Sequence, residues 1–462
     1  MELIIQEIAE AIRVEFAGEL QRLLIEERDI SEFIMGTKTM LDEIGVKLVA
    51  EALETLDQAV KESADRKRTW LVKSKKDIKN MATIFGEVSY SRTYYQNKKT
   101  GEYSYLSDEL VGIAAHDKLD TSLQAKLIEE AIDMPYRRSG KKAAEAVELT
   151  SQTVMNSIRR LGSVDNNAAK IKDKGKIVKT LYIEADEDHV ALQDGKCAEP
   201  KLVYVHEGIN QVGKERWELL NPRYFSGIYT NSDELWLEVA DYIDETYDAN
   251  SIEKIYLSGD GASWIKNGLG WIKRSIYVLD RYHLSKYITK ATAHIEDSAP
   301  VMWKYINHGE KEKVKELFTV IIRATETDTK KKSVREARSY ILGNWDGIKN
   351  QYEPDYVGCS AEGHVSHILS ARLSSRPLGW CKTGVDQMAR LRAFKANGGI
   401  VYDFLLAQKR RVLSKARKIK IDQDILMKRN LAATSETFGN IAILNKGKKT
   451  ATLQFLRSIR TA

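Results

Sequence analysis

TLYIEADEDHVAL (180–192) decides the fold class. Its polar and apolar residues alternate with the period of a β-strand, which puts Glu184, Asp186 and Asp188 on one face. KLVYVHEG (201–208) and ERWELL (215–220) read as further strands, and another runs through Tyr224 to Tyr229. SDELWLEVADYIDETY (232–247) is an amphipathic helix and KIYLSGD (254–260) a strand. SWIKNGL is a short helix, SIYVLD (275–280) a strand and HLSKYITKATAHI a helix. Antiparallel strands followed by parallel crossovers predict an α/β mixed sheet with helices on its faces. Residues 285–355 read as helical and charged. A helix over 360–375 follows, then the turn SSRPLGW.

Upstream, 1–64 reads as helices, from apolar positions such as Ile4, Ile5, Ile8 and Ile12. β-branched and aromatic residues over 81–106, with Asn97 and Gly101 near a turn, predict a hairpin. YRRSGKKAAEAVELTSQTVMNSIRRLG (136–162) has the pattern of a helix-turn-helix. KKAAEAVE would be its first helix and Leu149 to Ser151 its turn, with Thr150 or Ser151 as the N-cap. QTVMNSIRR would lie in the major groove of double-stranded DNA, offering Gln152, Thr153, Asn156, Arg159 and Arg160. An ordinary helical hairpin is the alternative.

Composition narrows the classes. The chain of 462 residues is 43% hydrophobic and 30% charged with 6 Pro, which excludes a disordered or collagen-like chain. Three cysteines without a CxxC pair exclude a disulfide scaffold and a zinc ribbon. No apolar run approaches the roughly 20 residues of a membrane helix. The start lacks a basic n-region, so a soluble, cytoplasmic protein with no membrane partner is expected. The net charge of +6 hides a gradient. Residues 1–65 hold 16 acids and 6 bases; 392–462 hold 4 acids and 16 bases. A basic stretch such as KRRVLSKARKIK (409–420) can neutralise phosphates, or can be a solvated helix face.

Three carboxylates carry the chemistry. Asp186 is centred on the first strand among acids whose repulsion needs a cation or solvent. Asp260 ends KIYLSGD, where an α/β sheet opens its crevice, and Gly259 and Gly261 would let a ligand approach the backbone. Glu362 begins AEGHVSHILSARL and is expected to join the apolar stripe of Val365, Ile368 and Leu369, aimed at the sheet. Each also reads as a structural acid: an edge-strand acid, a helix N-cap, and a partner for an arginine such as Arg372. Together they could hold two divalent cations roughly 3.5–4 Å apart for in-line phosphoryl transfer, and oxygen ligands suit Mg²⁺ or Mn²⁺.

The phrases YIEADEDHVALQ, SGDGASWIK, LDRYHLSK and AEGHVSHILSARLSSRPLGW resemble DDE transposases of a bacterial insertion-sequence family catalogued as uncharacterised and related to the Mutator group. The resemblance runs nearly end to end and is strongest over 180–290 and 355–392. It implies a ribonuclease-H-like catalytic domain, with Asp186, Asp260 and Glu362 as the catalytic, metal-holding triad. Asp188 competes with Asp186; a Val matching Val190 favours Asp186. Arg372 and Arg376 follow the Glu as in the Mutator-like signature and are assigned to DNA. Relatives often carry C-x-x-H after the strand following the second Asp. Here Asp280-Arg281-Tyr282-His283 keeps only the His, so His283 is expected to contact DNA or the scissile phosphate, or to pack beside an Asp N-cap.

The implied organisation is an acidic helical region (1–65), a hairpin segment (66–117), a helix-turn-helix region (118–169), the first part of the core (176–289), a helical insertion (290–355), the last core helix (356–391) and a basic C-terminal region (392–462). The implied activity is metal-dependent cleavage and strand transfer at terminal inverted repeats, by a homodimer or larger assembly at the nucleoid. The rivals are a non-catalytic DNA-binding regulator and a ribonuclease-H-like nuclease or resolvase without integration. A zinc site at His364-x-x-His367 lacks a Cys pair, and GxxxxGK[ST] does not occur.

Overall fold

The computed structural model describes residues 2–25, 29–144, 147–171, 173–214, 216–376 and 379–416. Of these, the residues within 2–130, 136–154 and 405–416 belong to one compact unit, and those within 131–135 and 155–404 form the other. Most of the basic C-terminal region, 417–462, lies outside the described residues.

The first unit opens with two helices, Glu2–Ile25 and Ile30–Glu62. Asp29 starts the second by accepting a bond from the Ser31 N–H at 2.7 Å. An antiparallel hairpin of Trp70–Thr83 and Gly86–Asn97 packs on that helix, with Tyr103–Ser104 as a short third strand. Asp57 of the helix accepts bonds from Thr93 N at 3.1 Å, Thr93 Oγ1 at 2.6 Å and Ser107 Oγ at 2.7 Å. Arg92 and Asp108 form a buried ion pair beside the Tyr90 hydroxyl. The expected hairpin over 81–106 is present, Gly86–Asn97 pairing with Tyr103–Ser104 around a turn between Asn97 and Gly101. The longer hairpin before it, with its tight turn at Ile84 and Phe85 and its opening strand from Trp70, was not expected. Lysines and two register slips break the period-two pattern there.

Tyr136–Ala143 and the helix beginning at Ser151 follow, so the first helix of the expected helix-turn-helix lies earlier than KKAAEAVE. A Cβ on Gly140 would come within 2.4 Å of the Leu149 carbonyl oxygen, so only glycine lets the two segments approach this closely.

In the second unit a five-stranded sheet runs in the order Arg223–Gly227, Lys201–His206, Thr180–Glu187, Lys254–Gly259, Ser275–Leu279. The first two pairings are antiparallel and the last two parallel. Thr180–Glu187 is therefore central, with a neighbour on each side. ERWELL does not join this sheet: Arg216–Leu219 pairs with Ile209–Gly213 in a separate, largely exposed hairpin. Alternation without an apolar face to bury does not place a strand in a core.

One sheet face carries Leu181, Ile183, Val203, Phe225 and Leu257, packed against Leu235, Trp236 and Val239 of the helix Ser232–Thr246. The opposite face carries Tyr182, Glu184, Asp186 and Tyr256, and Tyr356 and Val357 pack there. Residues 290–355 form helices Ser298–Asn307, Lys311–Ala324, Asp328–Gly343 and Trp345–Lys349. Phe318, Ile341 and Trp345 share a core with Leu279 and Leu284, which ties this helical layer to the edge of the sheet. Among the described residues no helix is long and apolar enough to cross a membrane.

Gly140→Ala should destabilise the first unit by about 1–3 kcal/mol, because backbone rather than a movable side chain occupies the space. A urea titration followed by circular dichroism measures this; an unchanged midpoint refutes the close approach.

Candidate active site

Parallel pairing sets Ala185 opposite Gly259, so the next residues, Asp186 and Asp260, leave adjacent strands side by side. Asp186 is 7% exposed, and its Oδ1 accepts the Glu187 N–H at 2.9 Å. Burial, with the negative charges of Asp260 and Glu362, pushes its carboxyl up to about 7; the Glu187 N–H and His283 act in the opposite sense. The three acids therefore face one another electrostatically although they are remote in sequence. Asp260 turns the chain out of the sheet: its Oδ1 accepts the Ala262 N–H at 2.8 Å, and its carbonyl accepts the Tyr340 hydroxyl. Among the described residues, no group of three or more His, Cys, Asp or Glu side chains is gathered tightly enough to hold a metal ion.

Three expectations about this region are corrected. Glu362 is exposed; the buried stripe is Ala361, Val365 and Leu369, and Glu362 sits one residue round from it. The expected continuous helix is Ala361–Val365, a π-helical turn Ser366–Ser370, and Ala371–Leu373. Gly259 and Gly261 leave no room for a ligand. Their absent Cβ positions are met by the Ala185 carbonyl and Ile265, and by Asn344 and Tyr277.

His283 follows Asp280, which caps the helix Arg281–Thr292 through the Tyr282 N–H at 3.1 Å. The Asp280 carboxylate also lies 3.0 Å from His283 Nδ1. Burial alone would lower the His283 pKa, but that hydrogen bond and the charges of Asp186, Asp280 and Asp260 raise it. The capping acid Asp280 and His283 are thus one arrangement, and His283 also feels the charges of Asp186 and Asp260. Asp188 lies past the strand end, held by Ser374 Oγ at 2.9 Å and the His189 N–H at 2.9 Å.

Sequence reasoning missed the polar layer beneath the triad. Glu184 is almost wholly buried, yet its pKa is lowered: the burial penalty is outweighed by His206, Tyr204 and the Ser360 N–H. His206 Nε2 lies 3.0 Å away, and the Ser360 N–H donates at 2.5 Å. Ser360 directly precedes the helix that carries Glu362, so this acid anchors that helix to the central strand. His364 packs against Tyr204, tilted by 40° with ring centroids 4.6 Å apart, and its Nδ1 lies 3.1 Å from the Tyr224 hydroxyl. Burial pushes the Cys359 thiol well up, keeping it protonated. The only sequence signal for the layer is a histidine and tyrosine on the polar face of KLVYVHEG.

Of the residues assigned to DNA, Gln152, Asn156, Arg159 and Arg160 are exposed on the helix Ser151–Leu161, while Val154, Ile158 and Leu161 are buried. Thr153 is half-buried; its N–H donates to Thr150 Oγ1 at 3.2 Å, and its hydroxyl lies 3.1 Å from that same oxygen. Arg372 is 4% exposed, donates to the Ala131 carbonyl at 3.0 Å and lies over the Trp380 ring. Its expected DNA contact is replaced by packing, because the guanidinium stem fills a gap between helices. Arg376 is exposed.

A carboxyl with a raised folded pKa contributes stability in acid that is lost as pH rises through the folded value, here between 3.8 and about 7. Asp186→Asn keeps an acceptor for the Glu187 N–H and removes the charge. It should raise stability by about 1 kcal/mol or more near pH 8 and change it little near pH 4. Urea denaturation at both pH values checks this; equal effects at both would show that Asp186 is not electrostatically crowded.

A family model described as an uncharacterised protein family, UPF0236, matches residues 23–410. A UPF0236 protein of Caldanaerobacter subterraneus subsp. tengcongensis is 43% identical over 451 residues, spanning 97% of this chain and 95% of its own length. Another from that strain, whose name joins eleven locus designations, is 40% identical over 450 residues, with 97% and 95% covered. A UPF0236 protein of Streptococcus gallolyticus, named for the vanSb 3′ region, is 27% identical over 398 residues, with 82% and 86% covered. With the match reaching from the N-terminal helices through the triad to the helix after it, the chain belongs to the UPF0236 family.

Proposed function

We propose that this chain is a DDE-type transposase with a ribonuclease-H-like core, which binds terminal inverted repeats and carries out metal-dependent DNA cleavage and strand transfer. The burial of Asp186, with Asp260 on the neighbouring strand end and the charges of Asp260 and Glu362 both felt at its carboxyl, supports this reading. A buried carboxylate crowded by two others gains from a cation, and the donors are all oxygen, which suits Mg²⁺ or Mn²⁺. Mg²⁺ keeps several waters and takes one or two protein carboxylates plus substrate phosphate oxygens, so a closed protein cage is not required. Asp186 and Asp260 would hold it, with Glu362 supplying a further oxygen. When bound, such ions activate an attacking oxygen and stabilise the leaving oxygen of an in-line displacement at phosphorus.

The remaining roles fall to the chain's own groups. His283, drawn toward its charged form by Asp280, would balance charge beside a scissile phosphate. Glu184 holds Ser360, and so the start of the helix that presents Glu362. The exposed Gln152, Asn156, Arg159 and Arg160 would grip the repeats, with Arg376 as a further phosphate contact. A relative named by eleven loci of one strain supports a gene that multiplies within a genome, as mobile elements do. The protein would act at the nucleoid as a homodimer or larger assembly on DNA.

The test is a Mg²⁺-dependent assay on end-labelled DNA carrying the inverted repeats that flank the gene. Cleavage with joining is expected. Binding alone would leave a regulator, and cleavage without joining a nuclease or resolvase. Asp260→Ala should abolish nicking while leaving repeat binding within about twofold; nicking that survives refutes the metal role of this acid.

A further inference from the structure

The strand Trp70–Thr83 slips register twice against its partner. Val72 faces Tyr95, Ser74 faces Tyr94 and Asp77 faces Arg92, so five steps along one strand match three along the other. The residues left without a cross-strand partner are Lys73, Lys75 and Lys76. All three are exposed, and among the described residues no ion pair engages them. An unbroken strand would alternate its side chains between faces, whereas a bulge re-aims them.

The bulge is pinned. The Asp77 carboxylate accepts bonds from Ser74 Oγ at 2.5 Å and from the Tyr105 hydroxyl at 3.1 Å. Tyr105 packs on Tyr94 at 4.7 Å between centroids, and Tyr94 stacks on Tyr103 at 5.5 Å. Arg92 lies over the Tyr105 ring at 3.6 Å. Lys76 adopts a φ of 61°, a left-handed conformation that non-glycine residues avoid. Residues 66–76 hold six bases and no acid, directly after the acidic segment 1–65. The pinned backbone sets the three exposed lysines next in register to the tyrosines, since Ser74, between Lys73 and Lys75, faces Tyr94.

We infer that this doubled bulge is a second DNA-contact surface, in which Lys73, Lys75 and Lys76 neutralise phosphates of the backbone beside the Tyr94–Tyr103–Tyr105 stack. It rests on the DNA-binding reading above and adds a site separate from the helix Ser151–Leu161. Cations placed on phosphates release condensed counterions, so the site must register in the salt dependence of binding. The tyrosines would suit stacked bases of an unpaired strand, and the lysines alone would serve duplex.

The experiment uses the full chain with Lys73→Gln, Lys75→Gln and Lys76→Gln combined. Binding to a labelled duplex and to its single strand is measured across a salt series. The slope of log K against log salt should fall by about 2–3 and affinity by roughly tenfold or more. Lys73→Gln alone, which leaves the strained Lys76 position untouched, should lower the slope by about 1 and covers the case in which the triple variant misfolds. A larger loss on the single strand assigns the stack to unpaired DNA; a larger loss on duplex assigns the site to the duplex backbone. Lys304→Gln, Lys313→Gln and Lys315→Gln together remove the same charge elsewhere, and an equal loss there overturns the inference. A slope left unchanged by the Lys73, Lys75 and Lys76 substitutions, where the wild type does bind DNA, also overturns it, and aggregation of that variant would then show that the lysines merely guard an edge strand. A wild type that binds no DNA instead refutes the reading of the previous subsection.

Discussion

Parallel pairing of Thr180–Glu187 with Lys254–Gly259 is the constraint on which the candidate site depends. With Ala185 opposite Gly259, two carboxylates leave neighbouring strands together. The pairing is tight because Gly259 admits the Ala185 carbonyl and Ile265 where a side chain would stand. Slippage by one residue would turn Asp186 into the apolar layer beside Trp236 and bring Ile183-type residues to the polar face. The hydrophobic packing of one face therefore holds the electrostatic arrangement of the other.

That other face is not a simple solvated surface. Tyr182, Tyr204, Tyr224, Tyr256, His206 and His364 form a layer of rings over the sheet, and Glu184 sits among them with its oxygens bonded. A buried carboxylate is tolerable only when its acceptors are satisfied. Here the bonds also locate Ser360, the residue before the helix of Glu362. The π-helical turn that follows rotates the chain, so Leu369 and Leu373 remain buried while Arg372 turns inward over Trp380. Glu362 is left exposed.

Much of this was legible from residue order. Alternation marked the central strand, and strand-end position marked Asp260. The helical run after 290 was plain because no strand pattern interrupts it. Three features were not legible. The strand at Trp70 was hidden because its bulges put lysines where alternation demands apolar residues. Arg216–Leu219 alternates like a core strand but has no apolar face to bury. Three-residue spacing places Glu362 in an apolar stripe, whereas the i, i+4 series from Ala361 is the one that packs.

Local sequence determined the elements and their caps: Asp29, Asn231 and Asp280 each start a helix by a bond to a nearby N–H. It also placed acids at the ends of two strands, because period and turn chemistry act over a few residues. Only tertiary structure decided that these acids face one another, that Glu184 is buried with His206, and that Arg372 points inward. The reason is range: propensity and capping read neighbours in sequence, while desolvation and charge repulsion depend on which distant residues share the same space.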